Sequence, residues 1–252
     1  MISSTTLAFA APMGLAIGSF LNVLAYRLPR GESIAFPRSR CTSCEHEIRA
    51  LDNVPVVSWV ALRGRCRNCK ASISARYPAI EALTAVVFAA IVLMRGVHPE
   101  LALQLPFAAM LIAVSAIDFE HRIVPNKVLL PMAVWGIAGD ALLRTSHLPE
   151  LLISGAGAFL VLFTAALFHP AGMGMGDVKL VGVMGLYLGT AVAPALFIGF
   201  LSGSAVGIVL LARHGMSARK MKVPFGPFLA LGGLVALLVG PELVHLYSQT
   251  LH

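Results

Sequence analysis

The stretch LVGVMGLYLGTAVAPALFIGFLSGSAVGIVLLA, residues 180–212, runs for 33 positions without a charged side chain. A helix that crosses a bilayer needs roughly 20 apolar residues, so this stretch is too long for one ordinary span and short for two. We expect a break near Gly189 and Thr190. Two spans would place the basic residues that follow the stretch in the cytoplasm, where loops rich in Lys and Arg stay, whereas one span would place them outside. The stretch therefore predicts two membrane-spanning helices.

The composition of the chain is also that of a membrane protein. Of its 252 residues, 58% are hydrophobic and 12% are charged, and the mean hydropathy is +0.83, which is more apolar than a soluble core requires. The start of the chain lacks the basic segment of a signal peptide, so we expect the first apolar run to be retained as a span. Other apolar runs cover residues 5–26, 79–94, 101–117, 128–143, 151–168 and 225–241. The sequence thus predicts an all-α polytopic membrane protein with about eight transmembrane helices.

The positions of Lys and Arg predict the orientation of these helices. Residues 27–76 hold ten basic residues, namely Arg27, Arg30, Arg38, Arg40, Arg49, Arg63, Arg65, Arg67, Lys70 and Arg76. Loops rich in Lys and Arg stay in the cytoplasm. With eight spans and this loop inside, every Lys and Arg except Arg95 and Arg144 faces the cytoplasm. The net charge of +7 is then explained by the Lys and Arg residues that keep these loops in the cytoplasm. The sequence contains no nucleic-acid-binding motif.

All four cysteines lie in this predicted cytoplasmic loop. They form two pairs, Cys41-Thr42-Ser43-Cys44 and Cys66-Arg67-Asn68-Cys69, with 21 residues between them. Two CxxC turns at this spacing are typical of a structural zinc site. Two disulfides or four unpaired thiols are the alternatives, and a reducing cytoplasm disfavours disulfides. We predict a structural Zn²⁺ ion that holds the loop together; its ligands are Cys41, Cys44, Cys66 and Cys69.

Two aspartates lie where an apolar run meets a polar turn. Asp118 occurs in Ala-Ile-Asp-Phe-Glu, and Asp177 occurs in Gly-Met-Gly-Asp-Val-Lys. Ionised carboxylates are costly at the edge of hydrocarbon, so such residues mark ion paths or catalytic sites. Alternation of the spans places both at the cytoplasmic face, with Asp177 recessed, where two carboxylates sharing a proton could activate water. The structural alternatives are a helix N-cap for Asp177 and an ordinary interfacial acid for Asp118.

Three neighbours of Asp177 would support a catalytic site. Gly174 and Gly176 would permit positive φ and close approach of another chain's backbone, and Lys179 would add positive charge nearby. Asp177 is expected to begin a helix, whose dipole favours an anion. We therefore predict that Asp177 is the more readily ionised member of the pair.

Several motifs occur together along the chain: Gly18-Ser19-Phe20-Leu21-Asn22-Val23, Tyr26-Arg27-Leu28-Pro29, the CxxC pairs, Tyr77-Pro78 with Glu81-Ala82-Leu83-Thr84, Asp118 with Pro125, residues 174–180, and Pro224-Phe225-Gly226-Pro227-Phe228. This combination resembles the type IV prepilin peptidase family, also called prepilin leader peptidase/N-methyltransferase. The resemblance implies a multi-pass enzyme of the bacterial inner membrane with Asp118 and Asp177 as its aspartyl pair. It would remove the basic leader of prepilins or pseudopilins after a glycine, at the cytoplasmic face. S-adenosylmethionine would then supply a methyl group to the new amino terminus. Asn126 departs from many relatives, which have an acid after the proline.

The sequence is accordingly divided into three parts. Residues 1–28 form the first transmembrane helix, residues 29–77 the zinc-binding cytoplasmic loop, and residues 78–252 the transmembrane aspartyl peptidase domain. Prepilin or pseudopilin substrates and membrane lipid are the expected partners, and no nucleic acid is expected. Two other classes of function stay open, a proton- or ion-coupled transporter that uses the intramembrane acids and a zinc-stabilised scaffold without catalysis.

Overall fold

A computed structural model describes residues 4–168, 173–220 and 223–250 of the chain. These residues are mostly helical and include no β-strand, which confirms the all-α prediction. The helices are α1 (Ser4–Arg27), α2 (Val57–Ala61), α3 (Arg76–Arg95), α4 (Leu101–His121), α5 (Asn126–Leu143), α6 (Leu148–Phe168), α7 (Met175–Leu188), α8 (Val192–His214) and α9 (Gly226–Thr250).

Within the described residues, five helical stretches are long and apolar enough to cross a membrane. They are Ala8–Arg30, Arg76–Arg95, Leu101–His121, Thr145–Phe168 and Met175–Ser217. The protein is therefore polytopic, as predicted. The number of eight spans stays a prediction, since α5 lies outside this set and α7 and α8 fall in a single stretch.

The predicted break in the long uncharged run is confirmed. Helix α7 ends at Leu188, and a short 3₁₀ turn covers Gly189–Ala191 before α8 begins. Gly189 has a φ of +57°, which a residue with a side chain adopts only at a cost. Glycine at this position thus allows the chain to leave one helix and enter another within three residues.

The first of two compact units spans Met1–Val97. Its helices α1 and α3 pack with their backbones in close approach, because a Cβ atom on Gly14 would lie 2.6 Å from Cα of Ala85 and one on Gly18 would lie 2.6 Å from Cα of Glu81. Small residues four apart are a common device for packing membrane helices. The Nδ2 group of Asn22 continues the same seam by donating to the backbone carbonyl of Tyr77 at 3.0 Å.

The second unit spans His98–His252 and is centred on α4. Phe107 and Leu111 in α4 are fully buried, and the ring of Phe107 stacks on that of Tyr187 in α7 with centroids 4.5 Å apart. Helix α7 in turn packs closely on α6, where a Cβ atom on Gly185 would lie 2.6 Å from Cα of Gly155. Ile117 beside Asp118 and Val178 beside Asp177 are also fully buried, so the end of α4 and the beginning of α7 are parts of a packed helical core.

Candidate active site and metal centre

The four predicted zinc ligands converge in the loop between α1 and α3. Their Sγ atoms all lie within 4.8 Å of one another, and the sulfurs of Cys41 and Cys69 are 3.8 Å apart. A tetrahedral zinc ion with Zn–S bonds of about 2.3 Å has S–S edges of about 3.8 Å. All four are free cysteines. The alternative of two disulfides is thus not what the structure contains, and the cluster has the size required to hold a metal ion.

Two similar turns bring the sulfurs together. Each CxxC pair is followed by a residue with positive φ, Glu45 at +56° and Lys70 at +60°. The backbone N–H of Glu45 donates to the carbonyl of Cys41 at 2.9 Å, and that of Lys70 donates to the carbonyl of Cys66 at 3.1 Å. Each pair therefore folds locally from its own sequence, which is why the spacing alone could predict the site.

Backbone N–H groups of the first turn favour the thiolate, which is the form that binds metals. A hydrogen bond from the backbone of Ser43 lowers the pKa of Cys41. A hydrogen bond from the backbone of His46 lowers the pKa of Cys44. The donor groups of this turn thus suit a site made of anionic sulfur.

Crowding opposes ionisation of the whole cluster when no cation is present. The backbone N–H of Ala71 favours the thiolate of Cys69, but the neighbouring thiols, that of Cys44 foremost, outweigh it and raise the pKa of Cys69 to about 11. Four thiolates this close repel one another. A divalent cation would offset that repulsion, so the chemistry of the donor set fits Zn²⁺.

An ion pair ties the second CxxC turn to the rest of the loop. The guanidinium of Arg67 donates to both carboxylate oxygens of Asp52 at 2.7–2.9 Å, and this hydrogen bonding lowers the pKa of Asp52. Nearby, the Nε1 group of Trp59 donates to the carbonyl of Ile73 at 3.0 Å. Arg67, which lies inside the second CxxC pair, therefore serves the loop fold.

Asp118 lies in the last turn of α4 and is buried. Its Oδ2 atom accepts a hydrogen bond of 2.9 Å from the backbone N–H of Gly226, the first residue of α9. Arg122 ends α4 in the left-handed conformation, and its N–H donates to the carbonyl of Asp118. The carboxylate is thus held by the backbone of a helix more than 100 residues away in sequence.

Asp177 is the third residue of α7 and is half-buried. The N-cap of α7 is Gly174, so the interpretation of Asp177 as an N-cap is wrong. Its position in the first turn still places it near the positive end of the helix dipole, as we predicted. Gly174 has a φ of −77°, so the expectation that it provides positive φ is wrong as well.

Asp118 and Asp177 lie within the range over which their charges interact. Gly176 explains part of this approach, because a Cβ atom there would lie 2.8 Å from Cβ of Val124, in the segment that follows α4. Gly176 therefore lets the first turn of α7 pack against this segment, and the close approach of another chain's backbone at the glycines stays a prediction.

Lys179, which we expected to add positive charge near Asp177, makes a hydrogen bond that the sequence did not predict. Its ammonium group donates to the Oδ1 atom of Asn126 at 3.2 Å and is exposed. The side chain therefore links α7 to the first residue of α5. The Lys179 hydrogen bond thus gives Asn126 a structural partner on the neighbouring helix.

Sequence reasoning assigned no role to Gly226, although its N–H contacts Asp118 directly. The motif Pro224-Phe225-Gly226-Pro227-Phe228 carried the only signal. A backbone donor leaves no trace in residue type, so neither charge nor spacing could point to it.

Spanning helices with two neighbouring carboxylates at their ends define a polytopic membrane protein with an aspartate pair. Comparison with known proteins gives its family. Residues 13–95 match the family described as Bacterial Peptidase A24 N-terminal domain, and residues 105–211 match the Type IV leader peptidase family. The chain therefore belongs to the type IV leader peptidase family.

Similar curated proteins cover almost the whole chain. A protein of Stutzerimonas stutzeri named prepilin leader peptidase/N-methyltransferase is 33% identical, over 98% of this chain and 96% of its own length. Proteins of the same name from Aeromonas salmonicida (strain A449) and Pseudomonas putida are 35% and 34% identical, over 94% and 93% of this chain and 92% and 91% of their own lengths. No solved structure gives a significant match.

Proposed function

We propose that this protein is a membrane aspartic endopeptidase of the bacterial inner membrane. It removes the leader from type IV prepilins or pseudopilins and then methylates the new amino terminus with S-adenosylmethionine as methyl donor. The electrostatic interaction between Asp118 and Asp177, in a chain of this family, is the observation that carries the proposal. The relatives named as both peptidase and N-methyltransferase support the second activity.

In the proposed reaction the two aspartates share one proton. One carboxylate is ionised and accepts a proton from the attacking water, while the protonated partner donates a hydrogen bond to the scissile carbonyl. Like charges this close disfavour double ionisation, so the pair titrates as a unit. The backbone N–H of Gly226 favours the anion of Asp118, which counts against our prediction that Asp177 is the more readily ionised member.

The fixed position of Asp118 suits this chemistry. Its carboxylate is buried and held by the N–H of Gly226, so it does not need to reorganise when substrate binds. The half-buried Asp177 is the more accessible to water. We propose that both face the cytoplasm, as the predicted distribution of Lys and Arg requires.

The cysteine cluster has a structural part in the proposal. Four thiolates would complete the shell of a Zn²⁺ ion, and a closed shell leaves no position for a substrate. Cys41, Cys44, Cys66 and Cys69 would thus stabilise the loop. The alternative function as an ion-coupled transporter is not favoured, because the family and the named relatives are peptidases.

The test uses the full-length protein in lipid vesicles with a prepilin as substrate. Leader removal is followed by mass spectrometry, with and without S-adenosylmethionine, and a gain of one methyl group on the trimmed product reports the second activity. Asp118→Asn and Asp177→Asn should each abolish cleavage. Glu120→Gln is the matched control, since Glu120 is an exposed acid two residues beyond Asp118 on the same helix. Normal cleavage by either Asn variant, at normal accumulation, would refute the proposed dyad.

A further inference from the structure

A short part of the cysteine-containing loop exposes large apolar side chains. Leu51 is 84% exposed, Val57 60% and Val60 62%, and Val54 is exposed as well. Single exposed apolar residues are ordinary, but four within ten residues of a polar loop form a concentration that marks interaction surfaces. Val57 and Val60 lie three residues apart in α2, so they share one side of that helix.

This part of the loop is attached to a membrane helix. The backbone N–H of Val56 donates to the Oε2 atom of Glu81 at 2.6 Å, and Glu81 is a buried residue of α3. Glu81 follows Arg76, the first residue of α3, by five positions, or roughly 7 to 8 Å along the axis. The loop backbone at Val56 is therefore held beside the second turn of a helix long and apolar enough to cross a membrane, and we place this turn near the boundary between headgroups and acyl chains.

The backbone at this contact is strained, which shows that the contact is specific. Val56 has a φ of +59°, a conformation that is rare for β-branched residues. Such a conformation persists only where the surroundings determine it. The short hydrogen bond to the buried carboxylate of Glu81 is the interaction that holds it.

Exposed positive charge lies at both ends of the segment. Arg49 precedes it, Arg63 follows it, and both are exposed. Arginines near a bilayer surface are attracted to anionic headgroups. We call the four exposed apolar residues, Leu51, Val54, Val57 and Val60, the apolar stripe. With basic residues at both ends, the segment that carries this stripe has the character of an interfacial membrane-binding segment.

We infer that residues 51–60 bind the surface of an anionic bilayer. In this arrangement Leu51, Val57 and Val60 enter the boundary between headgroups and acyl chains, and Glu81 anchors the segment at that depth. The inference goes beyond the proposed peptidase and methyltransferase activities and does not depend on either.

Trp59 lies inside the segment and provides the probe. The chain has two tryptophans, so Trp135→Phe leaves Trp59 as the only one. This full-length variant is reconstituted in vesicles of phosphatidylglycerol and phosphatidylcholine whose acyl chains carry bromine either near the headgroup or near the methyl end. Bromine near the headgroup should quench Trp59 fluorescence strongly, and bromine near the methyl end should quench it weakly.

A charge placed on the apolar stripe tests the contact directly. Val60→Asp should reduce the membrane-bound population of the segment by about tenfold or more, since burying a valine contributes that much, and quenching should fall accordingly. Ala35→Asp is the matched control, because it adds the same charge to an exposed position of the loop outside the segment. Zinc content measured on both variants shows whether the loop is still folded.

Several results would overturn the inference. Absence of quenching by both brominated lipids would place Trp59 outside the membrane surface. Equal quenching in the Val60→Asp and Ala35→Asp variants, with zinc retained, would show that the apolar stripe does not contact lipid. If Trp59 is unquenched and Val60→Asp impairs methylation equally in lipid-free detergent and in vesicles, the surface binds protein instead.

Discussion

The contact between Gly226 and Asp118 leads to a strong prediction for Gly226→Ala. A Cβ atom at this position would lie 2.7 Å from Oδ2 of Asp118 and 3.1 Å from its Cβ and Cγ atoms. The carboxylate must therefore move away, and the 2.9 Å hydrogen bond from the Gly226 N–H is lost or misaligned. A hydrogen bond to a charged group contributes about 1.5–3 kcal/mol. Loss of that stabilisation from the transition state should slow cleavage by roughly 10- to 150-fold.

The assay is leader removal from a prepilin by the variant in vesicles, measured as kcat/KM. Gly207→Ala is the matched control, because a Cβ atom on Gly207 meets no atom within 4 Å. The control should cleave at the rate of the unmodified protein. A Gly226→Ala protein that accumulates normally and also cleaves at that rate would refute the proposed importance of a fixed Asp118 carboxylate.

Three further predictions concern other contacts. Cys66→Ser should remove most of the bound zinc and make the loop sensitive to proteolysis; unchanged zinc content by elemental analysis would contradict the tetrathiolate site. Asn126→Asp should convert the hydrogen bond with Lys179 into an ion pair and stabilise the protein by about 0.2–1 kcal/mol in thermal unfolding; a gain that persists after Lys179→Met would exclude this cause. Glu81→Ala should leave the Val56 N–H unpaired and speed its hydrogen exchange by roughly tenfold or more, whereas Glu81→Gln should retain much of the protection; unchanged exchange in the Ala variant would contradict the contact.

The features that sequence reasoning predicted well are local ones. The turns at Cys41 and Cys66 are local, since the N–H of Cys41 bonds the carbonyl of His46 and the N–H of Cys66 bonds that of Ala71, so the CxxC pattern contains nearly all the information that the cluster needs. The break at Gly189 follows from the length of a bilayer-spanning helix and from the charge that follows it. In each case the physical cause lies within one short stretch of chain.

Contacts between distant segments were beyond the sequence. Alternation of spans placed Asp118 and Asp177 at one face, but nothing in the two motifs indicates that α4 and α7 are neighbours. Lys179 illustrates the same limit, since its nearest acceptor in sequence is Asp177 and its actual partner is Asn126. A long flexible side chain reaches several groups, and only the packing of α5 against α7 decides which one it meets.

The placement of both aspartates depends on backbone approach at glycine. The first turn of α7 meets the segment after α4 at Gly176, where a side chain would collide with Val124, and the first residue of α9 meets Asp118 at Gly226. At both points the helix ends come within a distance that only hydrogen at Cα permits. A methyl group added at Gly176 or Gly226 could be accommodated only if a helix end or the carboxylate of Asp118 moved. The geometry of the aspartate pair is therefore determined as much by the residues without side chains as by the acids themselves.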